Sequence, residues 1–253
     1  MIAKHIKSFL ERRGFVLGGD LNKNDRAGAL HRAWGHVYTN HICGDYVEFG
    51  VYQGDSFVES YKQYKTFDRW LQGQLASPEE WRRTVAQQYS SHKAHFHGLD
   101  TFAGMPANTE GNATFAEGTY VSSCGEVRKK CLGAGMPAAS FSLYQGLFSE
   151  TASRLSHRLS SKIAIVNIDC DIYGSAADAL AAIHDRLQLG CVLMFDDYNA
   201  YCSDNGKGER RAFLEFRDRV PFKFEPWFTY QYAGQAFLCV EAKPGLARLS
   251  NHT

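Results

Sequence analysis

The sequence has no surplus of either charge. Its 28 Lys and Arg residues nearly cancel 27 Asp and Glu residues, which leaves a net charge of +1. That balance excludes a charge-driven grip on a nucleic-acid backbone or an anionic membrane. No apolar run approaches the roughly 18 residues that a membrane span requires. The opening Met1-Ile2-Ala3-Lys4-His5 runs into a charged amphipathic stretch, without the apolar core of a signal peptide. The seven cysteines are scattered and include no Cys-x-x-Cys pair. Their number is odd and the chain is too large to need a disulfide framework, so reduced, mostly buried thiols in a cytoplasmic protein are expected. Internal repeats and low-complexity segments are also missing, which sets aside solenoids and arrays.

What is present is ordinary globular material: 253 residues, 44% hydrophobic and 22% charged. That length buries a sizeable core and suits one α/β domain. Residues 1–43 read as two helices. Ile2, Ile6, Phe9 and Leu10 share the face of the first, and Gly18-Gly19-Asp20 separates it from a second over 26–42.

After residue 43 the period changes. Residues 46–49 form a short apolar strand that ends in Gly50-Val51-Tyr52-Gln53-Gly54, with a helix from about Asp55. Residues 66–92 are polar, and Ser77-Pro78-Glu79-Glu80 marks a helix start, so this region reads as a helical insertion. Further strands are expected over 94–99, 141–145, 162–168, 191–195, 222–224 and 236–240. Helices are expected over 119–133, 149–159, 176–187 and 207–219. Residues 101–118, rich in Gly, Pro, Asn and Thr, read as a loop.

Short apolar strands alternating with helices imply a parallel sheet covered on both faces. Such sheets bind ligands beyond the carboxyl ends of their strands. Here Glu48, Gly50, Asp100, Asp169 and Asp196 all fall at those ends.

Three constellations carry chemistry. In Glu48-x-Gly50-x-x-x-Gly54-Asp55-Ser56, a glycine after a strand lets a ligand approach the backbone, and the next helix offers unpaired N–H groups. The spacing is not Gly-x-Gly-x-x-Gly. It suits a ligand with a carboxylate, such as the methionine part of S-adenosylmethionine, but is equally a plain strand-to-helix turn. Asp100 is placed to take ribose hydroxyls of a nucleoside cofactor, or to cap its loop. Asp169-Cys170-Asp171 and Asp196-Asp197 put four carboxylates at neighbouring strand ends. Unpaired, they would repel, and hard oxygen ligands at that density point to Mg²⁺, Ca²⁺ or Mn²⁺. The bland alternative is two helix caps and two solvated acids.

His92, His95 and His97 cluster around the second strand and read as packing residues rather than ligands. Trp34, Trp70, Trp81 and Trp227 read as core or subunit contacts. Lys207-Gly208-Glu209-Arg210-Arg211 reads as an exposed helix start, or as a contact to an anionic group of an acceptor.

Five segments, in order, resemble the macrocin O-methyltransferase (TylF-type) family of class I S-adenosylmethionine-dependent methyltransferases. They are residues 44–54, Leu99-Asp100-Thr101-Phe102-Ala103-Gly104-Met105-Pro106, Gly146-Leu147-Phe148-Ser149-Glu150-Thr151, Asp169-Cys170-Asp171-Ile172-Tyr173 and Asp196-Asp197-Tyr198. The resemblance spans about residues 44–218. It implies a Rossmann-like fold, with a mostly parallel seven-stranded sheet and helices on both faces, and Mg²⁺-dependent O-methylation of a sugar or glycoside hydroxyl. By carry-over, Asp169, Asp196 and Asp197 match metal ligands and Asp171 a general base. Glu48, Gly50, Tyr52, Gly54, Ser56, Asp100, Thr101 and Phe102 match the cofactor site.

The stretch 66–92 is longer than the family pattern. Some members use a histidine near the C-terminus as base, whereas the only histidine after His184 here is His252, which favours Asp171. The expected organisation is an N-terminal helical extension, 1–43, shaping the acceptor site. A methyltransferase domain, 44–245, follows, with 101–118 as a lid over the site. A homodimer is expected from the aromatic N-terminal helices and the insertion. Two alternatives remain: a metal-dependent glycosyltransferase using the Asp-x-Asp motif, and a non-catalytic scaffold of the same fold. A dehydrogenase is disfavoured by the missing third glycine and the acidic pair.

Overall fold

The computed structural model describes residues 25–159 and 162–242. The helix expected from Ile2 to Leu10, the end of the 44–245 range and His252 lie outside them.

Seven strands form one mixed sheet in the order β3-β2-β1-β4-β5-β7-β6. The strands are β1 (Asp45–Phe49), β2 (Phe96–Asp100), β3 (Phe141–Gln145), β4 (Ile163–Ile168), β5 (Val192–Phe195), β6 (Phe222–Tyr230) and β7 (Gly234–Ala242). β1 to β5 run parallel, and β7 is antiparallel to both β5 and β6. Every residue of β1, β2, β4 and β5 is buried, which fits their mainly apolar composition, with Asp45, Glu48, His97, Asp100 and Asn167 as the buried polar exceptions.

Alternate residues of each strand sort into two cores. Tyr46, Phe96, Val192 and Met194 pack with Trp34 of α1 (Arg26–Thr39), Phe57 of α2 (Asp55–Leu75), Tyr89 of α3 (Glu80–Ser90) and Val127 of α4 (Cys124–Gly133). Val47, Phe49, Val166 and Phe195 pack with Leu155 of α5 (Phe148–Arg158), Leu180 of α6 (Tyr173–Ile183) and Phe213 of α7 (Gly208–Arg217). A register shift between β1 and β4 sends both Ala164 and Ile165 to the first core, leaving Ile163 and Val166 in the second.

Trp34 is the keystone of the first core: it stacks on Phe96 at 5.7 Å, and its Nε1 donates to Ser60 Oγ at 2.9 Å. Trp70, Trp81 and Trp227 are instead 51%, 64% and 37% exposed, so none of these three is a core residue. Residues 66–92 divide between the last turns of α2 and the whole of α3.

The two element boundaries that differ most from expectation are the start of α4 and the end of β6. α4 begins at Cys124, not 119, because Ser123 Oγ accepts from Glu126 N and caps it there. β6 extends to Tyr230, well beyond residue 224. As an edge strand with mixed exposure and Pro226 inside it, β6 lacks a clean alternation to read.

The strand order reverses between β1 and β4, because β2 and β5 continue the sheet in opposite directions from them. That switch point is where a crevice opens.

Candidate active site

A cavity of about 430 Å³ lies at the switch point. Gly50, Tyr52, Asp100 and Thr101 line one side. Asp169, Asp171, Asp196 and Asp197 line the other, with Arg26 between them. Met105, Pro106 and Phe115 of the 101–118 loop form part of the wall.

Gly50 has φ +87°, and a Cβ there would sit 1.7 Å from the Asp169 carbonyl oxygen. The glycine therefore lets two strand-end loops touch, which brings the β1 loop against the acidic one. Gly54, at φ +80°, starts α2, and a Cβ on it would press to 2.9 Å from Val127 Cγ1.

Glu48 and Ser56 are buried beneath the cavity rather than in its wall, and Gly54 and Phe102 do not line it either. Ser56 Oγ donates to Glu48 Oε1 at 2.7 Å and Tyr46 OH donates to Oε2. Burial outweighs these bonds and pushes the Glu48 carboxyl up to about 7.

Asp100 accepts from Tyr52 N at 2.7 Å and from Phe102 N at 2.6 Å. It thus caps both loops while facing the cavity, and burial raises its pKa.

Asp169, Asp196 and Asp197 each offer an oxygen, all lying within 4.8 Å of one another. Burial raises the pKa values of Asp169 and Asp196, and the neighbouring carboxylates push in the same direction. Asp171, at φ +64°, is pushed up to about 11 by burial and then by the Asp197 charge.

Arg26 is the cation that answers this cluster. Its Nη1 lies 2.8 Å from Asp169 Oδ2, and its Nη2 donates to Asp196 Oδ2. Burial pulls its pKa down, but the two aspartates more than compensate and hold the charge firmly. Gln231 Nε2 adds a 2.7 Å bond to Asp196 Oδ1. A guanidinium between two of three clustered carboxylates is a stand-in cation, and the all-oxygen donor set fits a hard divalent ion.

Three site residues escaped the sequence. Arg26 opens a helix far from the motifs. Glu209 is buried inside the segment Lys207 to Arg211 that reads as exposed and basic. Glu110 accepts from Tyr173 N at 3.1 Å and Gly208 N at 2.9 Å, pinning the 101–118 loop to the starts of α6 and α7. Arg210 and Arg211 do sit on the outside of α7, over the Tyr198 and Tyr173 rings.

The three histidines lie away from the cavity. His97 Nδ1 is 2.9 Å from Tyr144 OH, His95 Nε2 is 2.9 Å from Ser142 Oγ, and His92 meets the Gly44 backbone.

The macrocin O-methyltransferase (TylF) family model matches residues 81–223, more than half of the chain. The chain belongs to the macrocin O-methyltransferase family. It is therefore an O-methyltransferase, and the glycosyltransferase and scaffold alternatives fall away. The match takes in Asp100 and the four strand-end aspartates, and begins after the β1 loop.

Solved structures agree on the fold. The O-methyltransferase NovP superposes with a TM-score of 0.63 at 18% identity, covering 86% of this chain and 80% of that one. CalS11, a calicheamicin methyltransferase, gives 0.61 at 19% identity, covering 84% and 77%. TomG from Streptomyces achromogenes, an O-methyltransferase of tomaymycin synthesis solved with S-adenosylmethionine, gives 0.52 at 8%, covering 84% and 80%. Comparison with curated proteins gives no match. Among the described residues no helix is long and apolar enough to cross a membrane.

Proposed function

We propose that the protein transfers a methyl group from S-adenosylmethionine to a hydroxyl of a sugar or glycoside, held beside Mg²⁺ or another divalent cation. The observation that carries this reading is the convergence of Asp169, Asp196 and Asp197 at the mouth of a cavity whose other wall is Gly50, Tyr52 and Asp100. The cofactor found with TomG, and the description of CalS11 as a TDP-rhamnose 3'-O-methyltransferase, support the cofactor and the acceptor class.

When bound, the cofactor supplies the methyl electrophile and the cation acidifies a hydroxyl that it touches. Asp169, Asp196 and Asp197 would hold the cation through carboxylate oxygens. Asp100 would take ribose hydroxyls at its carboxylate, which lines the cavity, and the Gly50 and Tyr52 backbone would border the methionine end. Glu48 and Ser56 would shape that loop from below, with Gly54, Thr101 and Phe102 completing its frame. Asp171, which ends the first acidic loop and lines the cavity, is held protonated by burial and the neighbouring carboxylates; with a cation offsetting those charges it would be ionised and would accept the hydroxyl proton at its carboxylate. The 101–118 loop, anchored by Glu110, would exclude water from the reacting atoms.

Arg26 in the cavity wall supports assigning 1–43 to acceptor binding and 44–245, with the helical insertion at 66–92, to the methyltransferase domain. Exposed Trp70 and Trp81 support a homodimer through α2 and α3, and free thiols at all seven cysteines support a cytoplasmic setting.

The test is transfer of labelled methyl to a panel of neutral and nucleotide-linked glycosides, with Mg²⁺ and with a chelator. Labelled glycoside that disappears with chelator supports the reading. Undiminished transfer in chelator removes the cation from it.

A further inference from the structure

Glu209 is buried beside the Asp169, Asp196 and Asp197 carboxylates, and no ion pair to it is found among the described residues. Its Oε1 accepts from Cys170 N at 3.1 Å and Asp171 N at 3.3 Å, and its Oε2 accepts from Asp197 N at 3.0 Å. One carboxylate in the first turn of α7 thus ties the loop after β4 to the loop after β5. The turn that it holds puts Asp171 at φ +64°, in the left-handed region that few non-glycine residues other than Asp and Asn adopt. A carboxylate buried beside like charges is costly, and core packing alone would be served better by an apolar side chain. What only a carboxylate can do here is accept backbone N–H groups from both loops through two equivalent oxygens.

We infer that Glu209 is a positioning residue of the methyl-transfer site, fixing the spacing of the Asp169–Asp171 and Asp196–Asp197 loops and hence the geometry offered to a divalent cation. The inference rests on the cation reading of the proposed function, but the tie itself exists in the metal-free protein. Glutamine in its place is nearly isosteric yet has one accepting oxygen. It can keep the Cys170 and Asp171 amides or the Asp197 amide, not both. Ligand-orienting partners of this kind are worth on the order of 10–100-fold in metal affinity.

The experiment compares wild type, Glu209→Gln and Asp218→Asn. Asp218 caps the far end of the same helix, exposed to solvent. Amide exchange by NMR in the metal-free proteins is read first. In Glu209→Gln, protection at Cys170 and Asp171, or at Asp197, is expected to fall about tenfold or more. Ile168 and Phe195 should keep theirs, which shows an intact sheet. Calorimetric titration of Mg²⁺ is read second, with an expected weakening of about tenfold or more in Glu209→Gln and none in Asp218→Asn. S-adenosylhomocysteine affinity should be unchanged in all three. Unchanged exchange in Glu209→Gln overturns the tie. Lost protection with unchanged Mg²⁺ affinity overturns the positioning role. Absence of Mg²⁺ binding in wild type overturns the cation reading and the role with it, while the exchange data still report on the tie.

Discussion

Arg26 Nη1 lies 2.8 Å from Asp169 Oδ2, so the first residue of α1 reaches the carboxyl end of β4. The same guanidinium engages Asp196. The α1 start is itself docked on the β6–β7 turn, where Asp25 Oδ1 accepts from Gln231 N at 2.5 Å. The candidate cation site is thus already answered by a positive charge that belongs to the chain.

Arg26 should compete with a metal ion. Replacing it with methionine is expected to tighten Mg²⁺ binding by about tenfold, through loss of a like charge at short range. The metal-free variant should lose about 3 kcal/mol of stability, because two partly buried carboxylates lose their partner. Denaturant unfolding with and without Mg²⁺ measures both. Unchanged Mg²⁺ affinity would show that Arg26 and the ion do not share the aspartates.

Glu48 should make stability fall as pH rises. Its folded pKa, about 7, exceeds the ordinary 4.5, so the folded state binds the proton more tightly. The stability that this contributes is fully present below about pH 4.5 and is lost as pH rises through 7. Glu48→Gln removes this component, worth at most about 3 kcal/mol. Urea midpoints between pH 5 and 8 should therefore slope less steeply in the variant. An identical slope would mean that Glu48 stays ionised.

Asp171 should matter for chemistry more than for binding. Asp171→Asn is expected to cut transfer by on the order of 100-fold or more. Mg²⁺ and S-adenosylhomocysteine affinities should hardly move. A fall in Mg²⁺ affinity matching the fall in rate would make Asp171 a ligand instead.

The sheet and the acidic end of the site were legible because β4 and β5 are mainly apolar runs followed at once by a carboxylate, and β2 ends on one. Asp100, Asp169 and Asp196 announce themselves by that break in pattern. The edge strand β6 did not, since exposure and Pro226 blur its period. Arg26, Glu110 and Glu209 were invisible for a different reason. Each acts on groups supplied by distant segments, and local composition says nothing about such pairings. Glu209 was hidden further by its basic neighbours, which suggest an exposed turn where one side chain points inward. Ser56 and Glu48 were legible as a motif, but their burial beneath the cavity follows from the Tyr46 and Ser56 bonds, which only the fold reveals.

In the proposed function the strand-end carboxylates hold a divalent cation beside the cavity. Titrating Mg²⁺ calorimetrically into wild type and Asp196→Asn, each saturated with S-adenosylhomocysteine, tests it most directly. Saturable binding to wild type and its loss in the variant, with S-adenosylhomocysteine still bound, are expected. Equal Mg²⁺ binding by both proteins, or by neither, would contradict it.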